Sequence, residues 1–486
     1  MSPTAPRIPV IVGAADLRGD GSEPCELIAQ AAHDAVPAAL LSALDAIFIV
    51  GVLSWSYDDL PAEVARLVGA APGHTLHSEV GGNQPLALIE TAARLIAVGQ
   101  IDAALVGGAE AAASLARAST SGNPPAWSDR PGGPVRLPSS VRGTEEMLRY
   151  GIDRPLRNYP LFENALRAEL GQSFEEAQRW SGEILAAMSE VAVGNPAAWK
   201  PRHLTPREVY EATDGNRMTC WPYTVRMTAN PKVDQGAAVV LCDLETAREH
   251  GIPDERISHI WASAGAADST DVLRRATFAR SPGLSATLDA CLDQAQCTAQ
   301  DLEHIDLYSC FPIVPKLAAL HLGLEKERPL TVTGGLASFG GPANDYCLHA
   351  IVAAHRLRGR TLVYANGEYL TKHHAMVIAP TRPARPWAEP AQVPPTTEPV
   401  PGYASAVAGR GRIETFTVEH DRDGTPARGW IIGRDDGARR FASVVTDPRS
   451  LHALADPDRQ PVGQMCDVRG ADGLNTSTVP TTQESR

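Results

Sequence analysis

The stretch Gly81-Gly-Asn-Gln-Pro-Leu-Ala-Leu-Ile-Glu-Thr-Ala-Ala-Arg-Leu-Ile-Ala-Val-Gly-Gln-Ile-Asp-Ala-Ala-Leu-Val-Gly-Gly-Ala-Glu110 decides the fold. Its glycine pair opens a turn, apolar residues from Leu86 to Val98 recur at helical spacing, and a buried strand from Ala103 to Gly107 follows. Apolar β-branched runs alternate with Ala/Leu-rich helical stretches through most of the chain. This alternation predicts an α/β fold.

The same layout occurs again later in the chain. The segment from Gly334 to Arg358 has a Gly-Gly turn and an Ala-rich helix, and the strand Thr361-Leu-Val-Tyr-Ala-Asn-Gly-Glu follows it. Both helices are apolar nearly all round, as helices buried between two sheets must be. We therefore predict two similar halves that pack about a pseudo-twofold axis. Two unrelated α/β units are the alternative.

Composition excludes several classes of protein. The chain has 486 residues, of which 43% are hydrophobic and 21% charged, so it can bury ordinary cores in two or three domains. A formal net charge of −13 and the lack of a long Lys/Arg cluster argue against nucleic acid as a partner. No apolar run is long enough for a signal peptide or a membrane span, so we expect a cytoplasmic protein with no membrane insertion. The eight scattered cysteines indicate reduced thiols and no metal site.

The rest of the chain suggests an insertion and an added domain. Residues 112–227 change to Gly/Pro/Arg/Ser loops and polar helices, which predicts an insertion over one end of the core. A stiff Pro-rich linker follows the second half, and strand-and-turn patterns beyond it predict a small β-barrel. Polar residues from Asp472 onward predict disorder. We assign residues 1–245 to the first half with its insertion, 246–380 to the second half, 381–401 to the linker, 402–479 to the barrel and 480–486 to a disordered tail.

These residues resemble a known family. The order helix-Gly-x-x-Asp-strand-Gly-Gly-x-Glu in a duplicated chain resembles the thiolase superfamily, especially its sterol-carrier-protein-type branch. Val233–Val240 is similar to the segment that ends the family's first half, and Asp306–Phe311 stands where that branch carries His-Asp-Cys-Phe. The likeness covers about residues 7–380, and the C-terminal extension is typical of thiolase-like protein type 1. It implies two βαβαβαββ halves in αβαβα layers, a loop domain that covers coenzyme A, and an OB-like barrel.

The resemblance also shows which catalytic groups are missing. Thiolases attack an acyl-CoA with a Cys at the start of the first buried helix, where the helix dipole and backbone N–H groups favour thiolate and oxyanion. Alignment with the family puts Gly82 at that place, followed by Asn83, and puts Gly341 where the Gly-His-Pro motif carries its base. The stretch Asn366–His374 also lacks the family's later Cys. Acetyl-CoA acetyltransferase activity through an acyl-cysteine is therefore doubtful.

Other residues are candidates for the site. Tyr308 replaces the His of His-Asp-Cys-Phe, and a Tyr there is similar to thiolase-like aldolases, which need a base and enolate donors but no Cys. His373 and His374 follow a Lys and are candidate general acids or bases, with an exposed loop as the alternative. Core packing is the alternative for Tyr308. Glu368 and Tyr346 are candidate pocket residues, although a solvated loop and core packing are the ordinary interpretations. Cys310 is interpreted as a buried filler.

Ligands and partners follow from the resemblance. Lys200, Arg202 and Arg226 are candidates for contacts with CoA phosphates, with solvated surface charge as the alternative. We expect coenzyme A or an acyl-CoA as substrate or ligand, no tightly bound cofactor, and a homodimer or a monomer. One hypothesis is carbon-carbon bond chemistry on acyl-CoA thioesters, such as retro-aldol cleavage. The alternatives are a non-catalytic acyl-CoA or lipid binder and a scaffold whose barrel docks a partner enzyme.

Overall fold

The strands form two sheets. The computed structural model describes residues 7–394, 398–471 and 473–480. The strands in these residues are β1 (Pro9–Arg18), β2 (Ala46–Ile49), β3 (His74–His77), β4 (Ala103–Ala111), β5 (Met218–Cys220), β6 (Tyr223–Thr224), β7 (Asp234–Asp243), β8 (Ser258–Ala267), β9 (His304–Leu307), β10 (Thr361–Gly367), β11 (Lys372–Ala379), β12 (Ala408–His420), β13 (Pro426–Asp435), β14 (Arg440–Val445), β15 (Met465–Ala471) and β16 (Leu474–Thr478).

Helices occupy the segments between the strands. They are α1 (Pro24–Ala35), α2 (Ala38–Leu41), α3 (Leu60–Val68), α4 (Gln84–Ala97), α5 (Ala112–Ser121), α6 (Ser139–Arg142), α7 (Glu145–Tyr150), α8 (Pro155–Glu169), α9 (Phe174–Gly194), α10 (Pro206–Tyr210), α11 (Leu244–Glu249), α12 (Pro282–Ala295), α13 (Ile313–His321), α14 (Tyr346–Leu357) and α15 (Pro448–Leu454). Short 3₁₀ turns span Val225–Met227, Asp254–Arg256, Val272–Arg274 and Ala299–Asp301, and a π-helical turn spans Gly335–Phe339.

The larger sheet contains both halves of the duplication. Its nine strands run in the order β3-β2-β4-β7-β1-β8-β11-β10-β9. In the first half β2 and β4 are parallel, whereas β7 is antiparallel to both β4 and β1. In the second half β9 and β10 are parallel, whereas β11 is antiparallel to both β10 and β8. The repeated pattern confirms the predicted duplicated thiolase-like fold.

Helices α4 and α14 form the middle layer. They contact each other, and each contacts strands of both halves: α4 contacts β4 and β11, and α14 contacts β1 and β10. All of the ten residues from Tyr346 to His355 are buried, so α14 has no solvent-facing side over this length. Helices α1 and α12 pack on the outer faces of the two halves. This arrangement explains why the sequences of α4 and α14 are apolar nearly all round.

The inserted region packs on the second half through a buried ion pair. Lys316 of α13 is fully buried, and its Nζ lies 2.6 Å from the carboxylate of Glu163 in α8. The hydroxyl of Tyr223 donates to the other oxygen of Glu163 at 2.7 Å. Such a pair is stable in the interior only because its partners satisfy each other. It fixes α8 against α13.

The C-terminal strands close into a five-stranded barrel. The ring runs β12-β13-β14-β16-β15 and returns to β12 through the pairing of β12 with β15. Phe416, Ile431 and Phe441 fill its interior and are fully buried. The barrel sheet continues into the inserted region because Glu419 of β12 pairs with Cys220 of β5. This is the predicted all-β barrel.

The structure corrects one local prediction and excludes one alternative. Strand β16 completes the barrel, although the polar residues after Asp472 predicted disorder. Of the predicted tail 480–486, residues 481–486 lie outside the described residues. Strand β11 begins at Lys372, so His373 and His374 lie in a strand and are buried, not in an exposed loop. In both places the polar residues have hydrogen-bond partners that are distant in sequence, which local patterns do not reveal.

The Pro-rich segment after the second half packs against that half. The Ala391 N–H donates to the Ser263 carbonyl at 2.7 Å, and Trp387 is 4% exposed.

Within residues 7–394, 398–471 and 473–480, no helix has both the length and the apolarity needed to cross a bilayer.

Candidate functional site

The two glycine turns of the duplication meet at the start of the middle-layer helices. The Gly81 N–H donates to the side-chain oxygen of Asn344 at 3.0 Å, just before α14. The Asn344 amide in turn donates to the Gly51 carbonyl at 2.7 Å. One buried side chain therefore ties the turn before α4 to the turn before α14.

Gly82 has no room for a side chain. A Cβ atom at this position would lie 2.5 Å from the Asn366 carbonyl oxygen and 2.6 Å from the Tyr308 hydroxyl oxygen. Both distances are well below van der Waals contact, and the Asn366 backbone belongs to β10, which cannot move aside easily. The position that we aligned with the family's nucleophile thus has no room for a side chain.

Tyr308 is the side chain that closes this place. It follows β9 and is 5% exposed, and burial raises its pKa far above the ordinary value for tyrosine. At neutral pH the group is therefore a neutral phenol, which can donate a hydrogen bond but is no base. Its ring packs edge to face on the ring of Tyr346, with 5.7 Å between the two ring centroids. The Tyr346 hydroxyl accepts from the Gly335 N–H at 3.1 Å, so Tyr346 supports the position of Tyr308.

Asn366 brings a further polar group to this place. Its amide nitrogen donates to the Tyr159 hydroxyl at 2.8 Å, and that hydroxyl donates its only proton to the Glu368 carbonyl. The NH₂ of Asn366 must therefore face Tyr159, and its oxygen is left for another donor. Among the described residues, the side-chain oxygens of Asn83 and Asn366 are buried without a hydrogen-bond partner.

Cys310 lies next to Asn366 and Tyr159. Its sulfur is 3.9 Å from the Asn366 amide nitrogen, and the residue is 9% exposed. Burial raises the pKa of the Cys310 thiol to about 12. Because the thiolate is the nucleophilic form, Cys310 is a buried thiol and no replacement nucleophile.

His373 is held in a buried hydrogen-bond network. Its Nδ1 lies 2.8 Å from the Tyr364 hydroxyl, and its Nε2 lies 3.2 Å from both Asp268 and Ser281. Burial lowers the pKa of His373, and Asp268 opposes this shift. These contacts fix the ring on β11.

His374 points to the opposite face of β11, as neighbouring strand residues do. Its Nε2 lies 3.1 Å from Glu90 of α4 and 3.0 Å from Ser263 of β8. Within the described part of the chain, no hydrogen bond of either histidine reaches Gly82 or Tyr308. The structure therefore does not bring the two imidazoles to the closed position.

Glu368 lies at the mouth of a cleft beside the site. Its carboxylate is 3.0 Å from the Lys372 ammonium, which also lies 2.9 Å from Glu79. The cleft has a volume of about 640 Å³, and Val80 and Tyr369 provide apolar walls. Through these two ion pairs, Lys372 links Glu79, just before the Gly81 turn, to Glu368 in the loop after β10.

Gly341 lies on the other side of the site, against the end of the inserted region. Its N–H donates to the Asn230 carbonyl at 2.9 Å, and a Cβ atom at this position would lie 3.2 Å from the Ala229 Cβ. A histidine there would require the Ala229 segment to shift. The turn thus retains neither the base of the family nor ready space for it.

The three predicted cations belong to segments that contact this turn or its neighbours in space. The Lys200 Nζ lies 5.5 Å from the centroid of the Trp199 ring. The Trp199 N–H donates to the Phe339 carbonyl beside the turn. Arg202 and Arg226 meet at Glu208: the former pairs with its carboxylate at 3.4 Å, and the latter donates to its carbonyl at 2.8 Å. Lys200 and Arg202 are exposed and Arg226 is half-buried, so all three are accessible to an anion.

The structure therefore groups only part of the predicted set. Gly82, Asn83, Tyr308 and Tyr346 lie together, whereas the two histidines are held elsewhere and the cations form a separate group. Sequence reasoning missed Tyr159 and Asn366, because the two residues that meet here are 207 positions apart. No cluster of metal-ligating side chains is found in the ranges that the structure describes.

Comparisons with known proteins concern the fold and the family of the chain. Residues 390–473 match the family described as thiolase-like protein type 1 additional C-terminal domain. A monomeric SCP2-thiolase-like protein type 1 from Mycobacterium smegmatis is 30% identical, with a TM-score of 0.85, and the match covers 98% of this chain and 100% of that one. An Ltp2-ChsH2(DUF35) aldolase is 18% identical, with a TM-score of 0.60, over 77% of this chain and 98% of that one. A search of curated proteins gave no match.

Proposed function

The chain belongs to the SCP2-thiolase-like protein type 1 family, and from this premise we propose that it binds acyl-CoA thioesters without forming a covalent acyl intermediate. The observation that carries this proposal is the contact of Tyr308 and Asn366 with Gly82. These groups occupy the place from which a thiolase cysteine attacks. The helix start beside that place is the positive end of the α4 dipole, which favours a carbonyl oxygen or an anion.

The polar groups around Gly82 suit a thioester held by hydrogen bonds. As a neutral phenol, Tyr308 can donate to the thioester carbonyl. The unpartnered oxygens of Asn83 and Asn366 need donors, and the pantetheine arm of CoA carries two amide N–H groups. A ligand that supplies these donors removes the cost of two buried acceptors without partners.

The charges on the two sides of the site favour one orientation of such a ligand. The side of Gly341 carries Lys200, Arg202 and Arg226, which suit the phosphates of CoA. On the other side, the cleft at Lys372 is lined by three carboxylates, those of Glu79, Glu145 and Glu368. This cleft repels phosphate, so we assign the nucleotide to the basic side and the acyl group to the cleft.

Retro-aldol cleavage of a 3-hydroxyacyl-CoA is the second candidate function. The hydroxyl of such a substrate would donate to the free oxygen of Asn366, and Tyr308 would donate to the enolate oxygen that develops. This step also needs a base for the hydroxyl proton. Because His373 and His374 are engaged elsewhere, binding is favoured over cleavage.

Calorimetry on the full chain tests the proposal. Acetyl-CoA and a 3-hydroxyacyl-CoA should bind saturably, and Tyr308→Phe should weaken binding about tenfold, the effect of one lost hydrogen bond. Tyr57→Phe serves as the control, because Tyr57 packs in the outer core of the first half. Absence of binding by every thioester would overturn the proposal. Release of an aldehyde or ketone from the 3-hydroxyacyl-CoA would favour the second candidate.

A further inference from the structure

The loop between β10 and β11, Glu368–Thr371, lies in the stretch that has no Cys, and its Glu368 and Tyr369 line the cleft beside the site. Glu368 and Leu370 have φ values of 55° and 53°, in the left-handed region that residues with a side chain rarely adopt. Such a conformation persists only when the surroundings impose it. The contacts of this loop therefore decide whether the wall is rigid.

Arg275 contributes three hydrogen bonds to this loop. Its guanidinium donates to the Leu370 carbonyl at 2.7 Å, to the Tyr369 carbonyl at 3.1 Å and to the Thr371 hydroxyl at 2.9 Å. The residue is 4% exposed, and burial lowers its pKa to about 10, so the group stays charged at neutral pH. One planar guanidinium thus bonds three successive residues of the loop, which a lysine could not do.

The position of Arg275 is set in turn by the barrel. Arg440 of β14 is fully buried, and its guanidinium donates to the carbonyl of Arg275, to that of Leu273 at 3.1 Å and to that of Ala276 at 3.3 Å. Its remaining donors bind Glu414 of β12, with Nε at 2.8 Å. The segment that carries Arg275 is therefore clamped by a barrel side chain.

Glu414 also binds a second arginine, Arg434, which can be compared with Arg440. Arg434 of β13 also binds Glu414, at 2.9 and 3.1 Å, but its other side-chain hydrogen bond goes to the Ala438 carbonyl within the barrel. Arg434 and Arg440 thus share one partner, and only Arg440 reaches the segment of Arg275. A difference between their variants isolates the contact from barrel to site.

We propose that the C-terminal barrel is a positioning element of the site: Arg440 fixes the segment Leu273–Ala276, and Arg275 from this segment fixes the loop Glu368–Thr371. The added domain then supports the wall around the ligand through Arg275. Its relevance to ligand binding rests on the proposed function, whereas the mechanical link does not.

Hydrogen-deuterium exchange on the full chain without ligand tests the link. Arg440→Met should speed exchange about tenfold or more in peptides covering 268–278 and 366–373, because the loop loses its clamp. Arg434→Met should leave both peptides unchanged. Faster exchange of the barrel alone in Arg440→Met, with unchanged exchange in 366–373, would overturn the proposal.

Two conservative variants keep the test decisive if Arg440→Met fails to fold. Arg440→Lys keeps the charge but cannot bridge three carbonyls, and Glu414→Gln loosens the orientation of Arg440. Both should speed exchange in 366–373 about threefold or more, and no change in either variant would contradict the link. Titration with acetyl-CoA separates the two claims: if the wild type binds no thioester, the proposed function fails while the exchange result still decides the link.

Discussion

The hydroxyl oxygen of Tyr308 lies 2.6 Å from the point that a Cβ atom at Gly82 would occupy. The two residues come from different halves of the duplication. Tyr308 fills the space that a side chain at position 82 would need. Gly82 is therefore required here by packing, and the nucleophile cannot return by a single substitution.

Gly82→Cys tests this packing. We expect it to lower the free energy of unfolding by about 2–3 kcal/mol, because the new side chain overlaps the Tyr308 hydroxyl and a strand carbonyl. It should also fail to create thiolase activity. Urea unfolding checks the first result, with Gly73→Ala as the control, since a Cβ at Gly73 meets no atom within 4 Å. An unchanged stability of the Gly82→Cys variant would contradict this packing.

Arg226 tests the assignment of the nucleotide side. Arg226→Met should raise the Kd for acetyl-CoA about fivefold and reduce its dependence on salt, because a charge near the phosphates is lost. Calorimetry at two salt concentrations measures both effects. Arg66→Met, which removes an exposed cation of α3, is the control. Equal effects of the two substitutions would remove Arg226 from the binding surface.

The ion pair between Lys316 and Glu163 should be important for stability. Lys316→Met leaves a buried carboxylate with only the Tyr223 hydroxyl, which should cost about 3–5 kcal/mol in urea unfolding. The double variant Lys316→Met/Glu163→Gln should recover part of this loss. By contrast, Arg179→Met breaks an exposed pair and should cost less than about 1 kcal/mol. A small effect of Lys316→Met would show that the pair does not anchor α8.

His349 should make stability depend on pH. Although burial opposes its charge, Asp16 and Asp345 raise its pKa to about 9, with Asp16 at 3.0 Å and Asp345 at 3.5 Å. A raised pKa stabilises the fold below the unfolded value, about 6.5, and this contribution is lost as the pH rises toward about 9. His349→Gln should therefore lower the free energy of unfolding by about 2–3 kcal/mol more at pH 6 than at pH 9.5. Equal losses at both pH values would contradict this charge state.

Much of the fold could be predicted from local patterns. The apolar runs predicted β4 and β10, and the helices that are apolar nearly all round predicted α4 and α14, because burial between sheets leaves a clear signal in sequence. The polar start of β11 and all of β16 carried no such signal. Their side chains are satisfied by residues far away in sequence, as His374 is by Glu90.

The site itself was only partly predictable. Alignment with the family located Gly82 and Tyr308, but it could not show that their atoms exclude each other. The links from Asn366 to Tyr159 and from Arg440 to Arg275 join residues more than 150 positions apart. Such contacts depend on how the barrel and the inserted region dock, which residue spacing does not encode.

Mass spectrometry of the intact protein after incubation with acetyl-CoA tests the central claim most directly. Acetyl-CoA is supplied at a concentration that saturates binding in calorimetry, and the sample is quenched in acid so that a thioester adduct survives. We predict the unmodified mass at every time point, because no nucleophile can stand beside Tyr308. Stoichiometric acetylation, on Cys310 or on any residue near the Gly81 turn, would contradict the account.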